Sequence, residues 1–327
     1  MKIGLGIIGY GGMGELHHKY AAQAGGYNII GAYDVDAARR AAAAEAGGIR
    51  TFGSLKALLG CREINTVLVC APAGRRSELC VAAARAGKHV ACAAPAAFSV
   101  WELDQIIAAI GRGGRVLAVC QDHRRDRDFC VVKKLLNTGR LGRVYSLQAR
   151  LQGRGALPGW GLSAGESVLY SWGVHVIDQL MWLLGYDDFI SVFCRTCKTG
   201  LSHTENYCLL VFNLESGGVV EIELDSSAPE TSPRWTILGD RAAACLGGTA
   251  GEGRTLLLEP SAEGRELPLP EPEETGDALA AYYENLREVI DGSGTLAAQP
   301  WQVRRVLKAV EAALQSAETG KLVSLKG

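Results

Sequence analysis

The sequence predicts an α/β chain in two parts. Residues 1–121 form a doubly wound parallel sheet, and residues 122–327 form an α+β part with a mostly antiparallel, open-faced sheet. Three observations carry that expectation. Up to Cys120, short apolar runs alternate with Ala-rich helical stretches, the pattern of parallel strands with helices on both faces. Beyond Cys120 the strand-like runs lengthen and alternate polar with apolar residues, as in a sheet covered on one side. And 327 residues, 48% of them hydrophobic, are too many for one ordinary domain and comfortable for two.

Taken in order, "KIGLGIIG", "YNIIGAYD", "INTVLVCA", "KHVACAA" and "RVLAVC" read as strands, with helices at 13–25, 36–46, 54–60, 75–86 and 99–111 between them. Right-handed crossovers then wind the sheet on both sides. A helix near 126–139 stops at "NTGRLG", where Gly139 and Gly142 supply turn conformations. The alternating strands "RVYSLQARLQ", "ISVFCRTCK", "NYCLLVFNL", "GGVVEIELDSS" and "RWTILGD" follow, with "ESGG" at 215–218 as a hairpin turn. The acidic, proline-bearing "ELPLPEPEETG" at 266–276 reads as an exposed connection, and two amphipathic helices, 277–291 and 300–318, close the chain. A free apolar sheet face predicts self-association as a homodimer or homotetramer.

Composition narrows the function classes. A net charge of −1 gives no electrostatic case for nucleic acid or a membrane surface, and no apolar run has transmembrane length. The opening "MKIGLGIIGYGG" passes from a lysine straight into a strand and a glycine turn, which predicts no export signal. Ten cysteines scattered through core-like segments then read as reduced apolar fillers in a cytoplasmic protein. Cys194 and Cys197 have redox or zinc spacing, but no second such pair completes a zinc site, and no metal is expected.

Chemistry enters at "GIIGYGGMG", where Gly9, Gly11 and Gly14 lie between the first strand and first helix. The first glycine permits the tight turn, the second lets backbone approach a pyrophosphate, and the third lets helix and strand pack closely. Asp34, ending the next strand, is placed to accept from a ribose 2′-hydroxyl. Together these predict a Rossmann dinucleotide site. The carboxylate favours NAD, while Arg39 and Arg40 leave room for NADP. In "SVLYSWGVHVIDQLMWLLG", His175 and Asp178 fall three apart at a helix start, with Tyr170 and Trp172 in the entering turn. By itself this reads equally as a helix terminus, with Asp178 complementing the dipole and His175 packed beneath it.

With these segments in place, the chain resembles the glucose–fructose oxidoreductase / inositol dehydrogenase / MocA family. "IGYGGMGELH", including Gly12, Met13 and His17, is similar to its nucleotide fingerprint, and "AGKHVACAAP" to its fifth-strand motif. "QDHRRDRDF" resembles its sixth-strand exit, "GVHVIDQLMWLLG" its catalytic helix and "ALQSAETGKLVSL" its C-terminal helix and tail. The resemblance implies hydride exchange between a nicotinamide and a hydroxyl-bearing carbon, usually on a sugar or polyol. It places His175 and Asp178 at the catalytic positions, Arg124, Trp172 and Tyr170 near the substrate, and Ala71, Pro72, Ala94 and Pro95 beside the cofactor. It also implies a cis peptide before Pro95.

The family's usual Glu-Lys-Pro is Ala93-Ala94-Pro95 here, and the aspartate four residues before its histidine is Ser171. Its Thr-Pro-Asn loop has become "APAGRR", with Pro72 retained. A positioned acid or base contributes about 10²–10⁴ in rate, so these losses weaken a dehydrogenase without necessarily abolishing it. Two readings follow: an oxidoreductase with an altered proton relay on a carbohydrate-like small molecule, or a dinucleotide-binding sensor or partner protein without turnover. Tyr170 and Arg124 stand as replacements for the lost groups, or as a tyrosine packed under a loop and an arginine on a solvated edge.

Overall fold

Period and punctuation build the first sheet. The computed structural model describes residues 2–153, 167–200, 202–228, 232–247, 256–258, 270–271 and 277–326. Its first elements are β1 (Ile3–Ile8), α1 (Gly12–Gln23), β2 (Tyr27–Tyr33), α2 (Ala37–Gly47), β3 (Arg50–Thr51), α3 (Leu55–Leu59), β4 (Thr66–Val69), α4 (Ala73–Arg85), β5 (His89–Ala93), α5 (Val100–Gly113) and β6 (Leu117–Cys120). Polar side chains open three of the helices: Asp36, Ser54 and Ser99 accept from first-turn N–H groups of α2, α3 and α5. Left-handed Gly48 and Gly114 close α2 and α5. The strands pair in parallel in the order β3-β2-β1-β4-β5-β6. Every residue of β1, β4 and β6 is buried, as a sheet with helices on both faces requires. Only the two-residue β3 was not expected.

The remaining elements are α6 (Arg127–Asn137), β7 (Val144–Gln152), α7 (Val174–Leu184), β8 (Phe189–Cys197), β9 (Tyr207–Leu214), β10 (Val219–Asp225), β11 (Trp235–Gly239), β12 (Ala243–Leu246), β13 (Leu256–Leu258), α8 (Ala278–Ile290), α9 (Pro300–Thr319) and β14 (Val323–Ser324). The second sheet runs β13-β12-β11-β7-β10-β9-β8-β14, antiparallel except where β7 lies parallel to β10. β9 and β10 form the expected hairpin across 215–218. Strict alternation buries Cys208, Leu210 and Phe212 of β9 against Val220, Ile222 and Leu224 of β10. The other face is half-exposed and mixed: Leu209 and Val211 of β9 lie opposite Glu223 and Glu221 of β10, which pair with Arg150 of β7 at 3.3 and 3.6 Å. The expected connection at 266–276 lies almost wholly outside the described residues.

By backbone contact the chain divides into two units, Met1–Asp122 with Gly276–Arg304, and His123–Thr275 with Arg305–Gly327. The return of 276–304 to the first unit is absent from the linear division at residue 121. Its anchor is aromatic. Tyr283 of α8 meets His17 of α1, with its hydroxyl 2.8 Å from Nδ1, and the Tyr27 hydroxyl donates to the Tyr283 carbonyl at 2.6 Å. His17 is fully buried, and burial lowers its pKa to about 4. Among the described residues no helix is long and apolar enough to cross a membrane.

All ten cysteines are free. Cys194 and Cys197 are not a pair: Cys194 points into the core, its Sγ 3.6 Å from that of Cys208 on the next strand, while Cys197 is exposed.

Candidate functional site

In the first unit the site is made of backbone. Gly9 has a φ of +90°, and a Cβ there would stand 2.6 Å from the Ala71 nitrogen, so the turn after β1 packs directly on the turn after β4. A Cβ on Gly14 would overlap the Gly9 carbonyl oxygen. Gly11 caps α1 with no side-chain hydrogen bond, and a Cβ on Gly12 would meet nothing within 4 Å. The start of α1 is thus left without a side-chain cap, which fits a pyrophosphate at a helix N-terminus. Met13 sits half-exposed in that turn.

Asp34 follows β2 and is almost buried. Its Oδ2 accepts from the Tyr10 N–H at 2.8 Å and its Oδ1 from the Asp36 N–H at 2.9 Å. Each carboxylate oxygen can accept a second bond, so the held carboxylate fits a ribose diol. Arg40 Nη1 donates to the Asp34 carbonyl at 2.7 Å, whereas Arg39 Nη1 stands 3.9 Å from Asp34 Oδ2. Ala71 and Pro72 form the turn into α4, and the Ala94–Pro95 peptide after β5 is cis.

Arg76 holds that last turn, and the sequence reading missed it. Its Nε donates to the Ala71 carbonyl at 2.8 Å, and its Nη1 to the carbonyls of Ala94 and Pro95 at 2.8 and 3.0 Å. The guanidinium is buried and ties the exits of β4 and β5 together. "APAGRR" placed two arginines near a helix start, but which one turns inward depends on a strand seventeen or more residues later.

In the second unit the site is made of charge. A π-helical turn, Leu169–Gly173, leads into α7 and carries Tyr170, half-buried, and Trp172, buried. Such turns recur at functional sites. His175 and Asp178 follow on the first turns of α7, and Asp178 is 1% exposed. Arg124, from the 3-10 turn Asp122–Arg125, grips it with both arms: Nε to Oδ2 at 2.6 Å and Nη2 to Oδ1 at 2.7 Å. The same Nη2 donates to the Tyr186 hydroxyl at 2.9 Å. Asp178 and Arg124, expected to serve catalysis and substrate separately, are thus joined to each other. Burial raises the Asp178 pKa, with the Arg124 hydrogen bonds and charge working against it. For Arg124, burial is outweighed by the hydrogen bonds and charge of Asp178, and its pKa is raised.

A second imidazole lies beside His175. The His123 ring centroid is 4.6 Å away, the rings at 76° to one another. The sequence reading passed over His123, although its spacing to Asp126 in "HRRD" was a usable signal.

Two family models match. "Oxidoreductase family, NAD-binding Rossmann fold" covers residues 3–121, and "GFO/IDH/MocA C-terminal domain" covers 129–245. Inositol 2-dehydrogenase 2 of Saccharopolyspora erythraea is 32% identical over 232 residues, 68% of this chain and 67% of that one. D-glucoside 3-dehydrogenase of Escherichia coli is 28% identical over 193 residues, 57% of this chain and 55% of that one. An NAD-binding protein from Listeria innocua superposes with a TM-score of 0.91 at 27% identity, covering all of this chain and 98% of that one. With the glycine turn, the held Asp34 and the His175 helix all in place, the chain belongs to the GFO/IDH/MocA family of NAD-binding oxidoreductases.

Proposed function

We propose that the protein is an NAD-dependent dehydrogenase of a polyol or sugar hydroxyl, with His175 as the general base and a proton relay that no longer uses lysine. The observation that carries this reading is the buried Arg124–Asp178 pair, one turn along α7 from His175, at 5% and 1% side-chain exposure. Burying two charges costs several kcal/mol per ion unless geometry repays it, and perturbed groups of this kind cluster at functional sites. Asp178 would orient the start of α7 while His175 takes the hydroxyl proton. When bound, NAD supplies the acceptor for the hydride. The relatives named for inositol and a D-glucoside support cyclic, polyhydroxylated substrates. Ten free thiols support a reducing compartment, and the half-exposed outer face of the second sheet supports a homodimer or homotetramer, to be read as mass by light scattering.

The sensor reading draws on a different observation. Ala93, Ala94, Ala96 and Ala97 give the β5 exit no proton-transfer group, although Arg76 keeps its shape. One experiment separates the two. Wild type, His175→Ala and Ala94→Lys are assayed with NAD⁺ on a panel including myo-inositol and methyl glucosides. We expect turnover by wild type, a loss of about 10²–10⁴ in His175→Ala, and faster polyol oxidation by Ala94→Lys. Inactive wild type and Ala94→Lys with NADH still bound would replace the enzyme by the sensor.

A further inference from the structure

We propose that His123, oriented by Asp126, is the relay residue that passes the proton on from His175; this rests on the dehydrogenase reading above. The support is a chain of contacts within the second unit. His123 Nδ1 lies 3.1 and 3.2 Å from the two carboxylate oxygens of Asp126. Asp126 is held in turn by Arg234 Nη2 at 3.4 Å, and Arg234 Nε bonds Asp128 at 3.0 Å. The Gln179 side chain, one turn beyond His175 on α7, donates to the His123 carbonyl. His123, Arg234 and Gln179 are all at least nine-tenths buried. The ring is therefore fixed from three elements, the turn before α6, the residue before β11 and α7 itself.

A ring nitrogen of His123 and one of His175 lie within 4.8 Å, a distance that one bridging water spans for proton transfer. A carboxylate on one imidazole nitrogen fixes the tautomer and steadies the ring when it becomes an imidazolium. The charged and titratable groups around it are Asp122 and Arg125 on the turn, Asp126 and Asp128 at the start of α6, Arg234 before β11, and His175 with the Arg124-bound Asp178 on α7. During oxidation the carbinol C–H leaves as hydride, with two electrons, to NAD⁺. The O–H proton passes to His175, then to His123, and on to water. No group at position 94 or 171 is needed in that path. His123 acts through His175 and is a positioning residue for the reaction.

The test compares wild type with His123→Ala, His123→Gln and Asp126→Asn on the panel substrate turned over fastest. NADH binding and the thermal midpoint are followed in parallel. We expect His123→Ala to lower kcat by about 10²-fold with NADH binding retained, and Asp126→Asn to lower it about tenfold. Added imidazole should restore part of the His123→Ala rate, and the kcat–pH profile should shift upward as hydroxide replaces the missing acceptor. His123→Gln, which keeps the volume, carries the kcat and pH measurements should the alanine variant not fold. A kcat for the His123 variants within threefold of wild type overturns the relay while leaving the dehydrogenase intact. So does a slow variant with no imidazole rescue and an unmoved pH profile, which marks a packing role. Loss of wild-type activity with a chelator, restored by a divalent cation, would make the pair a metal site instead. A wild type inactive across the panel removes the relay together with the enzyme.

Discussion

The glycine turn after β1 and the entry to α7 are held together by opposite means. The turn is built of backbone: a left-handed Gly9, an uncapped helix start at Gly11 and a carboxylate pinned by two N–H groups. At the α7 entry the structure rests on side-chain charge, with Arg124, Asp178 and Tyr186 in one buried cluster. The difference teaches how each region tolerates change. Around β5 the side chains shrink to methyl groups and the turn still holds, because Arg76 binds carbonyls that any residue would present. Around α7 each side chain completes another, so a single loss leaves a charge stranded.

Stranding that charge should give the largest effect. Asp178→Ala leaves the Arg124 guanidinium buried without its bidentate partner, and we expect about 3–5 kcal/mol lost in urea unfolding. Ala94→Ser, at the backbone-held turn, should change stability by less than about 0.5 kcal/mol. If the two losses are equal, the contrast between the regions fails.

Next comes a buried polar group within the first unit. Burial lowers the His17 pKa from the usual 6.5 to about 4, so below pH 6.5 the unfolded chain binds a proton that the folded chain refuses. Stability present above pH 6.5 is then lost as the pH falls toward 4, by up to about 3 kcal/mol. Denaturant unfolding at pH 7.5, 6 and 4.5 should show this slope, and His17→Gln should flatten it. A wild-type slope unchanged by the substitution would assign the acid sensitivity elsewhere.

Gly9→Ala tests the backbone site directly. The +90° φ alone costs about 1–3 kcal/mol in a non-glycine residue, and the new methyl meets the Ala71 backbone. NADH binding, followed by fluorescence, should fall below detection while second-unit unfolding stays unchanged. The smallest effect is expected from Asp34→Ser. Removing the carboxylate beside Arg39 should move preference toward NADPH by about tenfold, roughly 1.4 kcal/mol, read from the two dissociation constants.

Local features of the sequence determined a good deal. Strand and helix periods, glycine punctuation and the "ESGG" hairpin specify the first sheet apart from β3 and five strands of the second, because backbone conformation depends mostly on nearby residues. They do not specify the short β12, β13 and β14, because short strands carry little period. The glycine turn was legible for the same reason: it is built of backbone and its residues are nearly contiguous. Gly9, Gly14 and Asp34 stand where the spacing put them. The β7–β10 parallel pairing, which needs a long connection, carried no local mark.

Only the tertiary structure decided the side-chain partnerships. Arg124 reaches Asp178 across fifty-four positions and His17 reaches Tyr283 across two hundred and sixty-six. Arg76 turns inward to a strand exit, and His123 stands against His175, through contacts that no local period encodes. The physical reason is that a strand's period says which face is buried but not what lies against it. A charged side chain chooses its partner only after desolvation, when the low dielectric makes an unpaired group too costly to keep. That choice belongs to the packed molecule, and it is where this protein keeps its charges.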